Sequence, residues 1–279
     1  MAGSTRASGS SKASTGAVVG LFLVGLLTAA ALAADWLPLA SPVRMVAQDR
    51  MAGPSRALPL GADAFGRDLL SRIVHGTRLS LGVAGASVAL AVGAGTVLGL
   101  VAGYAGGRVD RVVMRAMDVF FSFPAILLAL GIVAALGPSP ANVVIAIAIV
   151  YTPIFARVVR GPVLALKERE FVEATRALGA GPRRIVGRHI LPNLTSVLVV
   201  QTSIALSWAV LTEASLSFLG LSAQPPAPSW GTMLNEGRLN VELAPHMAVF
   251  PGLAIMLAVL GFNLLGDGLR DWLDPRGPA

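Results

Sequence analysis

The chain has 279 residues, of which 54% are hydrophobic and 13% charged, with 22 Lys and Arg against 15 Asp and Glu and a formal net charge of +7. Soluble proteins average about 25% charged residues, so this balance and a mean hydropathy of +0.72 exclude a cytosolic enzyme and point to the bilayer. There are no cysteines, which excludes disulfides, thiolate chemistry and cysteine metal sites, and the basic excess reads as membrane-flanking Lys and Arg rather than as nucleic-acid binding.

A spanning helix needs about 20 mostly apolar residues, and six such runs fit the chain. Residues 1–15, rich in Ser, Gly, Thr and Ala with Arg6 and Lys12, read as a disordered cytoplasmic tail. The first span is 16–36. Ala31, Leu32 and Ala33 resemble a signal cleavage site, but the apolar run is longer than the roughly 7–15 residues of a signal core, so it reads as uncleaved. Residues 37–78 are broken by Pro38, Pro42, Pro54 and Pro59 and form an extracytoplasmic segment. A core over 79–267 follows, with helices expected at about 79–103, 116–136, 142–160, 194–219 and 247–266. A charged loop, 161–192, separates the fourth and fifth spans. A polar, Pro-rich loop from Ser222 to His246 separates the fifth and sixth, and 268–279 form the C-terminus. The expected fold is therefore all-α, with six transmembrane helices.

Lys and Arg orient it. With both termini cytoplasmic, the inner segments hold fifteen of the 22 basic residues, eight of them between Arg157 and Arg188; the inverted topology would hold seven. The positive-inside preference selects the first arrangement.

No enzyme constellation emerges. The only lysines, Lys12 and Lys167, lie outside any Walker A context, and His75, His189 and His246 fall on separate segments without metal-ligand spacing. Gly95, Gly99, Gly103 and Gly107 recur every four residues and form a smooth stripe for close helix packing. Pro124, Pro153 and Pro251 mark kinks. Asp118 pairs with Arg115 and Arg111, one and two turns before it. Glu213, with Ser217 one turn on, is the notable intramembrane carboxylate: it either lines a translocation path or makes a structural hydrogen bond to a neighbouring helix.

The cytoplasmic stretch carries the sharpest signal. Lys167 to Leu178 reads as a helix in which Arg169, Glu173 and Arg176 support one another; Gly179, Gly181 and Pro182 break it, and Arg183 to Ile190 form a second short helix. Phe171, Val172, Ala174 and Leu178 would face water unless something covered them, so the element reads as a docking surface.

At these residues the chain resembles the membrane subunits of binding-protein-dependent ABC importers. Their signature, Glu-Ala-Ala, three residues, Gly, nine residues, Ile-x-Leu-Pro, is matched here by Glu173, Ala174, Thr175, Gly179, His189, Ile190, Leu191 and Pro192, with Thr175 and His189 as departures. The segments Gly61–Leu81, Glu170–Asn193, Glu213–Trp230 and Asn263–Arg276 narrow the resemblance to the C-type subunit of the dipeptide, oligopeptide and nickel permeases. It implies a type I ABC importer permease fold in a bacterial inner membrane. It also implies a coupling helix for the ATPase, formed by Glu170, Phe171, Glu173, Ala174, Thr175, Leu178, Gly179 and Ala180 with Leu191 and Pro192. The implied partners are a B-type permease subunit, two ATPase subunits and an extracytoplasmic binding protein. ATP and Mg would sit at the ATPases, with no cofactor, metal or catalytic residue on this chain. The implied substrate is a dipeptide or oligopeptide, with nickel or glutathione as alternatives in the family and a secondary transporter as the other class.

Overall fold

The computed structural model describes residues 8–273, and within them every regular element is helical. The helices are α1 (Ser8–Ala33), α2 (Leu69–Ala105), α3 (Gly107–Phe121), α4 (Ala125–Leu136), α5 (Pro140–Leu166), α6 (Glu170–Ala177), α7 (Pro182–Ile185), α8 (Thr195–Phe218), α9 (Trp230–Arg238) and α10 (His246–Leu273). Five segments are long and apolar enough to cross a membrane, or six if the bent pair α3–α4 counts as one. One of the five is the continuous helical path from Pro182 to Phe218.

Several boundaries differ from the sequence reading. Part of the expected disordered tail, residues 1–7, lies outside the described residues, and the backbone is helical from Ser8. α2 starts at Leu69, ten residues before the expected span, because the Asp68 carboxylate caps it by accepting from Leu70 N and Ser71 N. α5 starts at Pro140 under a Ser139 cap and continues past Arg157 and Arg160 to Leu166. α10 runs on to Leu273, and residues 274–279 of the expected C-terminus lie outside the described residues.

The largest correction concerns the third span. A single helix over 116–136 is replaced by α3 and α4, bent at 89°. Pro124 is the cause: it lacks an N–H and disfavours helical backbone in the residue before it, so α3 closes at Ser122 and α4 restarts with Pro124 as its N-cap. Pro153 and Pro251 sit inside α5 and α10 instead of ending them.

The glycine stripe packs as expected except at its end. Ideal Cβ atoms on Gly95, Gly99 and Gly103 would meet Phe155, Ala156 and Val163 respectively, so α2 and α5 run parallel in close backbone contact. Gly107 is not part of this seam; it has nothing within 4 Å and takes a positive φ of 55° where α3 begins. A Cβ on Gly99 would fall 2.6 Å from Ala156 O and 2.7 Å from Val159 Cβ, so Gly99→Leu forces the helices apart. Overpacking of this kind costs about 1–3 kcal/mol. The thermal midpoint of the purified protein should fall, and an unchanged midpoint would contradict the seam.

The main core joins α2, α4, α5, α8 and α10 around Ala91, Val133, Ile147, Phe155, Leu216 and Ala258, with Trp230 of α9 included. α1 packs antiparallel on α10, where Gly20 leaves no room for a side chain against Leu265 N and Gly261 O. A second cluster, Val159, Val163, Val172, Ile185, Ile190 and Leu194, lies at the other end of α5.

Candidate functional site

That second cluster seats the element singled out in the sequence. α6 is shorter than expected, Glu170–Ala177, and contributes Val172, which is fully buried among residues of α5 and of the Pro182–Leu194 path. Glu170 and Glu173 occupy its first turn and Arg176 its last, each matched to the helix dipole. The anticipated mutual support of Arg169, Glu173 and Arg176 is not seen: among the described residues no ion pair joins them, and all three are exposed.

The end of α6 explains its glycine. Gly179 N–H donates to Arg176 O at 2.9 Å and Ala180 N–H to Thr175 O at 3.2 Å, the paired bonds of a Schellman cap. This places Gly179 at φ 81°, a conformation that side chains oppose. Thr175 is accommodated because its hydroxyl donates to Phe171 O within the helix. The second short helix is not the expected Arg183–Ile190. α7 covers Pro182–Ile185 and passes through one π turn and one 3-10 turn into α8, so Pro192 sits within a helical path.

Most of the named residues gather at this end of the bundle. Glu170, Phe171, Glu173, Ala174, Leu178 and Gly179 are exposed on α6 and its cap, Leu178 at 88%, and Thr175 and Ala180 are partly covered. Leu191 and Pro192 stand apart, lining a cavity of about 580 Å³ with Val92, Leu198 and Thr202 between α2 and α8.

Glu213 is fully buried within this chain. Its Oε1 accepts from Ser222 Oγ at 3.3 Å, the hydroxyls of Ser80 and Ser217 face it, and Oε2 has no hydrogen-bond partner. Ser217 Oγ meets Ser229 Oγ at 2.5 Å. Ser229 in turn caps α9, a helix within the polar loop expected from Ser222 to His246. The available signal was the capping pair Ser229 and Thr232, spaced as a capping box requires.

α9 is pinned into the bundle. Trp230 is fully buried, its backbone N–H donating to Ser80 Oγ and its indole Nε1 to Ile73 O, both at 3.3 Å. Glu236 then reaches Arg67 at 3.0 Å and Arg72 at 3.2 Å, and Asp63 holds Arg67 Nε at 2.5 Å with Arg72 Nε 3.3 Å away. The Arg72 Nε–H is not aimed at any acceptor, so its approach to Asp63 is Coulombic only. Two acids and two bases thus form a neutral cluster in which Asp63, Arg67 and Arg72 are nearly inaccessible. It ties the segment before α2 to the segment before α10. Nothing in the local sequence flagged it, because Glu236 lies 164 residues from Arg72.

Asp118 is also paired differently from the expectation. Its partner is Arg157 of α5, at 2.6 Å, rather than Arg111 or Arg115.

Residues 95–277 match the family described as binding-protein-dependent transport system inner membrane component. The chain belongs to that family. Curated relatives agree. The glutathione transport system permease protein GsiD of Pectobacterium atrosepticum is 52% identical over 258 residues, 92% of this chain and 85% of that one. The dipeptide transport system permease protein DppC of Alkalihalophilus pseudofirmus is 47% identical over 260 residues, 93% and 86% of the two chains. GsiD of Escherichia coli O157:H7 is 48% identical, covering 92% and 84%. Among solved structures, the inward-facing methionine ABC transporter MetNI superposes with a TM-score of 0.54 at 23% identity over 71% of this chain and 94% of its own, which establishes the fold. The chain is thus a permease subunit with the type I importer fold, a multi-pass membrane protein of an inner-membrane family.

Proposed function

We propose that this permease is the C-type half of a heterodimeric ATP-driven importer for dipeptides or oligopeptides. In this reading it pairs with a B-type permease subunit, two ATPase subunits bind at α6, and an extracytoplasmic binding protein delivers the substrate. The single observation that carries the coupling role is the mounting of α6. Val172 is locked to the ends of α5 and the α8 path, while Phe171, Glu173 and Ala174 on the same helix and Leu178 at its C-cap are left exposed. A push on that exposed face is transmitted into two spanning helices as a rigid displacement, which is what alternating access by a helical bundle needs. ATP and Mg belong to the partner subunits. Both termini are assigned to the cytoplasm, supported by the fifteen basic residues on that side.

The substrate assignment rests on relatives named for dipeptide and glutathione transport; glutathione is itself a peptide. Proteoliposomes containing the complete transporter and its binding protein, offered labelled dipeptide, glutathione or Ni²⁺, should accumulate a peptide. Uptake of Ni²⁺ alone would overturn the peptide reading.

In this reading Glu213 and Ser217 have a structural role, holding the 219–229 connection through Ser222 and Ser229. Glu213 pairs with no cation among the described residues, and an amide can keep its contact with Ser222. Glu213→Gln should therefore leave uptake within about twofold of wild type, a change of about 0.4 kcal/mol. A large loss of uptake with normal assembly would restore the path-lining reading.

A further inference from the structure

α3 presents three distinct sides. Arg108, Arg111 and Arg115 share one stripe and are exposed, and among the described residues none of them meets a carboxylate. Arg111 alone has a hydrogen bond, from Nε to Gly107 O in its own helix. Beside this stripe run Val109, Val112, Ala116 and Val119, also exposed, Val112 at 69% and Val119 at 56%. The third side faces α5 with buried Met117 and with Asp110, whose carboxylate takes both Nε and Nη2 of Arg160 at 2.5 and 2.6 Å. Asp118 meets Arg157, whose guanidinium stacks 3.9 Å over the Phe121 ring.

These anchors fix the attitude of the helix. Asp110 and Asp118 are about 12 Å apart along α3, yet their partners are only about 4.5 Å apart along α5, so α3 lies across α5 instead of beside it. They also fix its depth. Arg157 and Arg160 come about 26 and 30 Å after the start of α5 at Pro140, which matches a hydrocarbon thickness of roughly 30 Å. α3 therefore lies at the boundary of the bilayer, at the end that carries α6, where the Lys167 side chain reaches Gly106.

We propose that Arg108, Arg111 and Arg115 bind the phosphate headgroups of anionic phospholipids, with Val109, Val112, Ala116 and Val119 seated in the adjoining acyl region. Guanidinium groups match phosphate in two-point hydrogen bonding, and a basic stripe beside an apolar stripe on an in-plane helix is the arrangement that a charged membrane surface selects. The same helix holds α5 through two ion pairs and leads through the Pro124 bend into α4, so bound headgroups brace the end of the bundle that α6 also occupies. This site requires only that the chain is a membrane protein and is independent of the substrate and of the ATPase role of α6.

The test uses the intact transporter in vesicles containing spin-labelled phosphatidylglycerol or spin-labelled phosphatidylcholine, with the motionally restricted lipid fraction as the readout. Each arginine at an anionic surface favours binding by about fivefold. The wild type should select phosphatidylglycerol over phosphatidylcholine by at least about fivefold, less at high salt. The variant R108Q/R111Q/R115Q should lose that selection, whereas R108K/R111K/R115K should keep part of it. R183Q/R184Q, altering exposed arginines at the same end, should match the wild type. If the triple Gln variant does not assemble, Arg111→Gln alone should lower the selection. Selection unchanged in the triple variant overturns the proposal. So does dissociation of a permease or ATPase partner with lipid selection intact, or binding of free glycerol phosphate with no preference among membranes.

Discussion

Replacing Gly179 by Val should reduce ATP-driven uptake by up to about thirtyfold while the permease still folds and inserts. The cap of α6 requires Gly179 at φ 81°, and a β-branched residue held in a sparsely populated region costs of order 1–3 kcal/mol. Nothing lies within 4 Å of a Cβ at this position, so the cost is conformational and falls on the cap alone. A midpoint of about 2 kcal/mol is about a thirtyfold change in the equilibrium constant for the capped form of α6, which sets the upper limit of the loss. Val172 would stay buried, which keeps the effect out of the bundle. Glu173→Arg should give the same separation by another route, since Glu173 is exposed and without an ion pair among the described residues. Reversing its charge alters only what approaches α6, together with a small opposing term at the helix dipole. In both variants ATPase activity should continue without proportionate uptake. Normal uptake in either would remove the coupling role from this helix.

The second large effect is expected at the opposite end. Glu236→Ala leaves Arg67 and Arg72, each nearly inaccessible, with only Asp63 between them. Removing one partner of a buried ion pair costs about 3–5 kcal/mol, because the remaining charge stays uncompensated; Glu236 retains some exposure, which puts the expected value at about 3 kcal/mol. α9 should then loosen from α2, to which its remaining hydrogen bonds are those of Trp230 to Ser80 and Ile73. Limited proteolysis in the 219–245 connection should accelerate, and the double variant R72M/E236M should recover part of the loss because it removes both charges. Equal protease resistance in Glu236→Ala and wild type would show that the cluster does not hold this connection.

The spans were legible in the sequence because twenty-residue apolar runs have few alternative explanations. Their ends were not, and the reason is the same at each place. Arg72 and Arg78 read as loop residues, yet they lie within α2, paired with Glu236 and with Asp35 from outside the helix. Arg157 and Arg160 read as the end of a span, yet α5 continues through them because Asp118 and Asp110 of α3 meet them. In each case a distant acid made a charge tolerable, and distance along the chain hides such partners. The break at Pro124 was visible as a kink but not as an 89° turn, because its angle depends on α3 being held across α5. α6 was legible in composition and in its glycine, whereas the shape of its mounting depends on Val172 meeting Val159, Val163 and Ile190 from other elements.

The central claim is that this permease works in an ATP-driven importer through α6. Its most direct test is uptake of labelled dipeptide by proteoliposomes holding the transporter purified from its native membrane, measured with ATP and with an imposed ion gradient. The expected result is co-purification of two ATPase subunits, with uptake that requires ATP and is lost in Gly179→Val. Uptake driven by the gradient without ATP, from a preparation that lacks ATPase subunits, would contradict the claim.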